Sequence, residues 1–270
     1  MFRWPTTNPE TLAPERSWRF QAKQVSVGVK KTRQNQDQNF DLVIFDCDGV
    51  LVDSEVISCR VHADVLTRYG YPITAEEVQQ RFLGRTARDA TIEVEQELGR
   101  PLPDSYDLER RTTLLAALAE MVEAIPYLHA ALDAIEARMC VASSAAHEKI
   151  FTTLSRTGLY ERFAPNIFSG TQVSHGKPAP DLFLFAARQM AALPGRCVVV
   201  EDSVPGVTGA LAAGMTVLGF HGGSHCRPGD GEALRRAGAA ATFDDMRQLP
   251  GLIGRITPRN DDPHAGFSPV

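Results

Sequence analysis

Four short apolar runs punctuate the chain: Leu42-Val43-Ile44-Phe45, Met139-Cys140-Val141-Ala142, Cys197-Val198-Val199-Val200 and Met215-Thr216-Val217-Leu218. A weaker fifth lies at Ala240-Ala241-Thr242-Phe243. None alternates polar with apolar. Continuous runs of this length are the mark of strands covered on both faces, as in a parallel sheet. Helix-like stretches fall between the later runs, at about 145–156, 180–191, 204–213 and 230–237. Strands alternating with helices predict an α/β fold, a Rossmann-like three-layer α/β/α core around a parallel sheet.

The first two runs are separated by a different pattern. Residues 55–125 read as almost all helix. Ser54 is placed to cap a helix whose apolar positions Ile57, Val61 and Val65 recur every four residues, with Gly70 to end it. Thr74-Ala75-Glu76-Glu77 is a capping-box pattern for the next helix. A third is expected from Thr86 or Asp89, stopping near Gly99-Arg100-Pro101, and a fourth from Leu108 to Val122. A helical insertion this long is no simple crossover, so it predicts a separate small all-helical cap domain. The predicted catalytic core is then 41–54 with 126–256. Residues 1–40 are polar and rich in Gln and Asn, and read as a disordered extension; 257–270 read as a loose tail.

Composition changes this picture little. The 43% hydrophobic content is that of an ordinary globular protein, and 270 residues suffice for a large core. Charge is more informative. The whole chain carries −5, but the first 40 residues hold seven basic and three acidic residues, so the remainder stands at −9. Such a body argues against nucleic acid as a partner. Five scattered cysteines (Cys47, Cys59, Cys140, Cys197, Cys226) show no C-x-x-C spacing and fit free thiols in a reducing compartment. With no long apolar stretch and no apolar signal core, a cytoplasmic protein without a membrane span is expected.

Candidate chemistry gathers just past the predicted strands. Asp46 and Asp48 sit two apart in Phe45-Asp46-Cys47-Asp48-Gly49-Val50-Leu51-Val52-Asp53-Ser54. In a parallel sheet that edge is where ligands bind. Clustered carboxylates repel, and a divalent cation would relieve them. Gly49 allows a tight turn that would offer backbone N–H groups to an anion. An EF-hand loop is excluded, because its glycine and final glutamate fall at other positions. Ser143-Ser144 ends the second run, where a hydroxyl before a helix binds a phosphate oxygen or merely caps the helix. Lys177, held by Gly176, Pro178 and Pro180, is a rigidly presented cation. Glu201 and Asp202 end the third run and supply hard oxygen ligands of the kind magnesium takes.

Taken together, these four segments, in this order across about residues 41–255, resemble the haloacid dehalogenase-like hydrolases, in the subfamily with a small α-helical cap. The resemblance implies a Mg2+-dependent phosphatase. Asp46 would be the nucleophile that becomes an aspartyl-phosphate, and Asp48 the general acid/base. Ser143, with Ser144 beside it, would bind phosphate. Lys177 would steady nucleophile and phosphoryl oxygens. The metal would be held by Asp46, Asp48 and Asp202, with Glu201 adjacent. The loop Gly84-Arg85-Thr86-Ala87-Arg88-Asp89 resembles the subfamily's specificity loop, so Arg85 or Arg88 is expected to face the substrate.

Dehalogenases of this fold generally lack the second aspartate, so Asp48 argues against that chemistry. β-Phosphoglucomutases carry a cap histidine ten residues after it, where this chain has Ser58; His62 is off register and reads as a helix-surface residue. A receiver domain also forms an aspartyl-phosphate but has no helical insertion after its first strand. A small phosphorylated metabolite, a sugar or sugar-acid phosphate, is the expected partner, with the chain a monomer or weak homodimer.

Overall fold

The first apolar run becomes a central strand of the protein. In a computed structural model, residues 40–82 and 87–258 are described. The expected N-terminal extension up to residue 39, the tail from 259, and Arg85 within 83–86 lie outside them. Strand β1 (Leu42–Phe45) is followed by four helices, α1 (Glu55–Arg68), α2 (Ala75–Phe82), α3 (Ala87–Leu98) and α4 (Ser105–Met121). Then come α5 (Leu128–Asp133), β2 (Arg138–Ser143), α6 (His147–Arg156), α7 (Tyr160–Phe163), β3 (Ile167–Ser169) and α8 (Asp181–Gln189). The chain continues through β4 (Cys197–Glu201), α9 (Val204–Ala212), β5 (Thr216–Phe220), α10 (Asp230–Arg236), β6 (Ala241–Phe243) and α11 (Leu249–Arg255).

The strands form one sheet in the order β3-β2-β1-β4-β5-β6, every pairing parallel. All four residues of β1 are fully buried. Successive side chains of a strand point to opposite faces, and both faces are covered here. Val43, Phe45, Val141, Val198 and Val200 pack with residues of α5, α6 and α11. Leu42, Ile44, Cys140, Val199 and Val217 pack with α8, α9 and α10. This is the predicted three-layer α/β arrangement, and it explains why the runs carry no polar alternation. Each large side chain so buried contributes about 1.5–3 kcal/mol. The sequence pattern missed β3. It has only three residues, Ile167-Phe168-Ser169, at the sheet edge, too short to register as an apolar run.

The four inserted helices bury an apolar cluster of their own, including Val65, Leu66, Val78, Phe82, Val94 and Tyr106. Gly70 ends α1 with φ +90°, a conformation that favours glycine. The Thr74 capping box forms: Thr74 N–H donates to Glu77 Oε2 (2.8 Å) and Glu77 N–H to Thr74 Oγ1 (3.2 Å). His62 is not a solvent-facing residue. Its Nε2 lies 2.9 Å from Tyr106 Oη and its ring is 5.9 Å from that of Phe82. Burial drives its pKa down to about 4. No helix among the described residues is long and apolar enough to cross a membrane.

Candidate active site

Parallel pairing in register puts the acidic ends of the strands side by side. Phe45 pairs with Val141 on one side and Val200 on the other, so the residues following them share one edge of the sheet. Asp46 N–H donates to Val200 O (3.0 Å), which fixes the turn out of β1. Lys177 reaches this edge from the loop before α8. Its Nζ donates to Asp46 Oδ1 and to Glu201 Oε1, both at 2.5 Å. All three side chains are nearly or wholly buried. Burial opposes the lysine charge, but Asp46 and Glu201 outweigh it and hold the pKa of Lys177 above its ordinary value. Burial raises the pKa of Asp46 well above the usual carboxylate range; Lys177 opposes this, while Glu201 and Asp202 add to it.

Glu201 is fully committed. Besides Lys177, its Oε2 accepts from Ser203 N–H and Ser203 Oγ–H, both at 2.9 Å. A Cβ at Gly206 would fall 1.8 Å from Glu201 Oε1, so glycine makes room for this carboxylate at the start of α9. Asp202 lies across from Gly49. A Cβ there would fall 2.0 Å from Asp202 Oδ2, and Gly49 has φ +80°, so both space and conformation require glycine. Within that turn, Gly49 N–H donates to Val52 O (2.8 Å).

Asp48 points into a different set of donors. Ser54 Oγ–H donates to its Oδ1 (2.5 Å) and Lys149 Nζ lies 2.9 Å from the same oxygen. Ser54 therefore precedes α1 without capping it through its side chain. Burial would raise the pKa of Asp48, but Lys149 and Ser54 prevail and hold it below the ordinary value. Ser143 ends β2, buried, its Oγ accepting from Ala145 N–H (3.1 Å); Ser144 is exposed. Arg88 is exposed on the first turn of α3.

Three contributors went unread in the sequence. One is Lys149 on α6, which pairs with Asp48. His225 follows β5, and its Nε2 lies 3.1 Å from Asp202 Oδ2 while Nδ1 has no hydrogen-bond partner. Its signal was available, since the loop after an inner parallel strand opens at the same edge. Burial opposes charge on His225, but Asp202 and Cys226 push its pKa up to about 11. The third is Glu55, the first residue of α1. Burial, with Asp48 and Asp202 adding, drives its pKa up to about 7 against the pull of Lys149 and His225.

Among the described residues no three His, Cys, Asp or Glu side chains converge as a finished metal shell. The donor chemistry nevertheless suits a hard divalent cation. Asp46 and Asp202 are buried oxygen donors whose pKa values are raised, Asp202 to about 6, by burial first and by Glu201 as a neighbouring acid. A cation at this edge would offset that repulsion.

The family model for the haloacid dehalogenase-like hydrolases matches residues 43–220, which hold Asp46, Asp48, Ser143, Lys177, Glu201 and Asp202. The chain belongs to this family. Among curated relatives, the haloacid dehalogenase-like chain is 33% identical over 225 residues to the 6-phosphogluconate phosphatase of Escherichia coli K12, covering 78% of this chain and 94% of that one. A conserved haloacid dehalogenase-like protein of unknown function from Agrobacterium tumefaciens matches with TM-score 0.72 and 41% identity, over 80% of this chain and 98% of its own. A HAD family hydrolase from Deinococcus radiodurans, solved with bound phosphate and sodium, matches with TM-score 0.67 and 34% identity, over 83% and 100%.

Proposed function

We propose that the protein hydrolyses the phosphomonoester of a small sugar or sugar acid through an aspartyl-phosphate on Asp46. The observation that carries this reading is Lys177 bridging Asp46 and Glu201 at the ends of adjacent buried strands. A buried carboxylate with one oxygen held by a lysine presents its other oxygen as a nucleophile. The lysine also neutralises charge that would repel a phosphate.

In the first half-reaction an Asp46 carboxylate oxygen bonds to phosphorus and the phosphorus–oxygen bond to the sugar breaks. Asp48 gives its proton to the departing oxygen. In the second, Asp48 takes a proton from water, the water oxygen bonds to phosphorus, and the bond to Asp46 breaks. Proton transfer of this kind contributes about 10²–10⁴-fold. Ser143, with Ser144 beside it, receives the phosphate oxygens at the end of β2. Asp46, Asp202 and the backbone oxygen of Asp48 would hold Mg2+, which supplies charge stabilisation for nucleophile and phosphate when bound. Glu201 serves the same edge by anchoring Lys177. The helices α1–α4 form the cap that excludes water and selects the sugar. Arg88, and Arg85 in the segment outside the described residues, are our candidates for contacting the leaving group. We place this chemistry in the cytoplasm, which thiols such as Cys47, Cys59 and Cys140, outside any disulfide, suit.

Substrate class is supported by the relative that acts on 6-phosphogluconate. A phosphosugar mutase is disfavoured at Ser58, whose Oγ–H is turned back onto Ser54 O (2.9 Å) in its own helix. The test is a panel of phosphorylated sugars and sugar acids, with p-nitrophenyl phosphate, assayed with and without Mg2+. Metal-dependent phosphate release is expected, falling more than about 10³-fold in Asp46→Asn. Equal turnover by Asp46→Asn would sink the aspartyl-phosphate reading.

A further inference from the structure

His225 has no role in the scheme above, yet it faces two ways. Its Nε2 lies 3.1 Å from Asp202 Oδ2, and its ring packs over Gly49, where an added Cβ would fall 2.8 Å from His225 Cε1. Its backbone oxygen turns the other way and accepts from Gln79 Nε2 of α2 at 2.5 Å. The preceding residue fastens the same loop to the root of the insertion: Ser224 N–H and Oγ–H both donate to Asp53 Oδ1, at 3.3 and 2.8 Å. Asp53 N–H in turn donates to Glu123 O (2.9 Å), joining the two segments by which the chain enters and leaves the inserted helices. Two consecutive residues after β5 thus touch the helices, their attachment and the acid at the end of β4. Gln79 is half-buried, whereas its neighbour Gln80 is exposed.

We propose that Gln79 is a positioning residue that couples the cap to the hold on the cation: docking α2 onto the loop seats His225, and His225 seats Asp202. The inference rests on the reading of α1–α4 as a cap and of Asp202 as a cation ligand. Hydrogen-bond partners behind a ligating carboxylate orient it and tune the metal affinity. His225 is such a partner, and Gln79 fixes it from the cap side. A coupling of this kind works in both directions. A bound cation favours the docked cap, and the docked cap favours the cation. The helices that select the sugar then close most firmly over a site that is ready to react.

Gln79→Met keeps the bulk of the side chain and removes the donor; Gln80→Met, one residue on, is the control. Mg2+ binding to each metal-free protein is measured by calorimetry, and amide hydrogen exchange of α2 is followed with and without Mg2+. In Gln79→Met the Kd for Mg2+ is expected to rise about fivefold, the size of one neutral hydrogen bond, although the side chain supplies no atom to the metal. Mg2+ should slow exchange in α2 of wild type and of Gln80→Met, but not of Gln79→Met. A role confined to packing within the insertion would speed that exchange equally with and without Mg2+ and leave the Kd alone. An unchanged Kd, or Mg2+ protection of α2 that survives in Gln79→Met, would overturn the inference. Asp202→Asn checks the underlying reading separately. It should abolish Mg2+ binding; if it binds Mg2+ as wild type does, the assignment of Asp202 fails first, and the coupling with it.

Discussion

The sheet edge and the helical insertion are built on opposite principles. At the edge, Asp46, Glu201 and Lys177 are nearly water-free, and each is held by another charged group. In the insertion, the buried side chains are mostly apolar. One of its ion pairs, Arg68 with Glu109 (2.8 Å), lies at the surface with both side chains more than a third exposed. Exposed pairs contribute little, about 0–1 kcal/mol. Buried charges are expensive unless paired, and breaking such a pair costs about 3–5 kcal/mol. The edge therefore carries its buried charges at a risk to stability, whereas the insertion can vary its exposed surface with little consequence.

The comparison breaks most sharply at Lys177. Lys177→Met leaves Asp46 and Glu201 facing each other without a cation. We expect a loss of about 3–5 kcal/mol in urea unfolding together with loss of turnover. A variant of wild-type stability would show that the three charges are not coupled as the distances imply. The matching cut in the insertion is Leu66→Ala, which removes a fully buried side chain. Here about 2–5 kcal/mol should be lost. At a temperature where the variant is folded, kcat on p-nitrophenyl phosphate should stay within about threefold of wild type, since no reacting group is touched. A collapse of kcat in the folded variant would tie the insertion's core to the chemistry itself.

The same contrast explains what the sequence could disclose. Strand runs and the acids following them were legible because a both-faces-buried strand needs an unbroken apolar stretch, and a carboxylate at its end has few structural uses. The inserted helices were legible from Gly70 and the Thr74 box. What stayed hidden was the destination of side chains. Ser54 looked like a helix cap, but its hydroxyl serves Asp48. Gly49 read as a turn glycine, and the space it leaves open is taken by Asp202. Lys149 carried no local pattern and His225 only its place after an inner strand, because their partners lie 101 and 23 residues away and the fold alone brings them together. The strand β3 was hidden for another reason, its three-residue length.

Titration offers the mildest way to sharpen the contrast, because the two regions should respond to pH with opposite sign. Glu55, facing the edge, has its pKa raised from 4.5 to about 7, so the folded protein binds that proton more tightly than the unfolded chain. Its contribution to stability is complete below about pH 4.5 and is lost as pH rises through 7. His62, inside the insertion, has its pKa lowered from 6.5 to about 4, so the unfolded chain binds the proton more tightly. Its contribution is complete above about pH 6.5 and is lost as pH falls through 4. In metal-free protein, Glu55→Gln should therefore raise Tm relative to wild type at pH 8, with the difference closing by pH 4.5. His62→Gln should flatten the decline of Tm between pH 6.5 and 4 while leaving the alkaline limb unchanged in slope. If both variants shift the same limb, the two groups share one environment. The division between a charged, chemically loaded edge and an apolar helical insertion would then fail at the point where α1 begins.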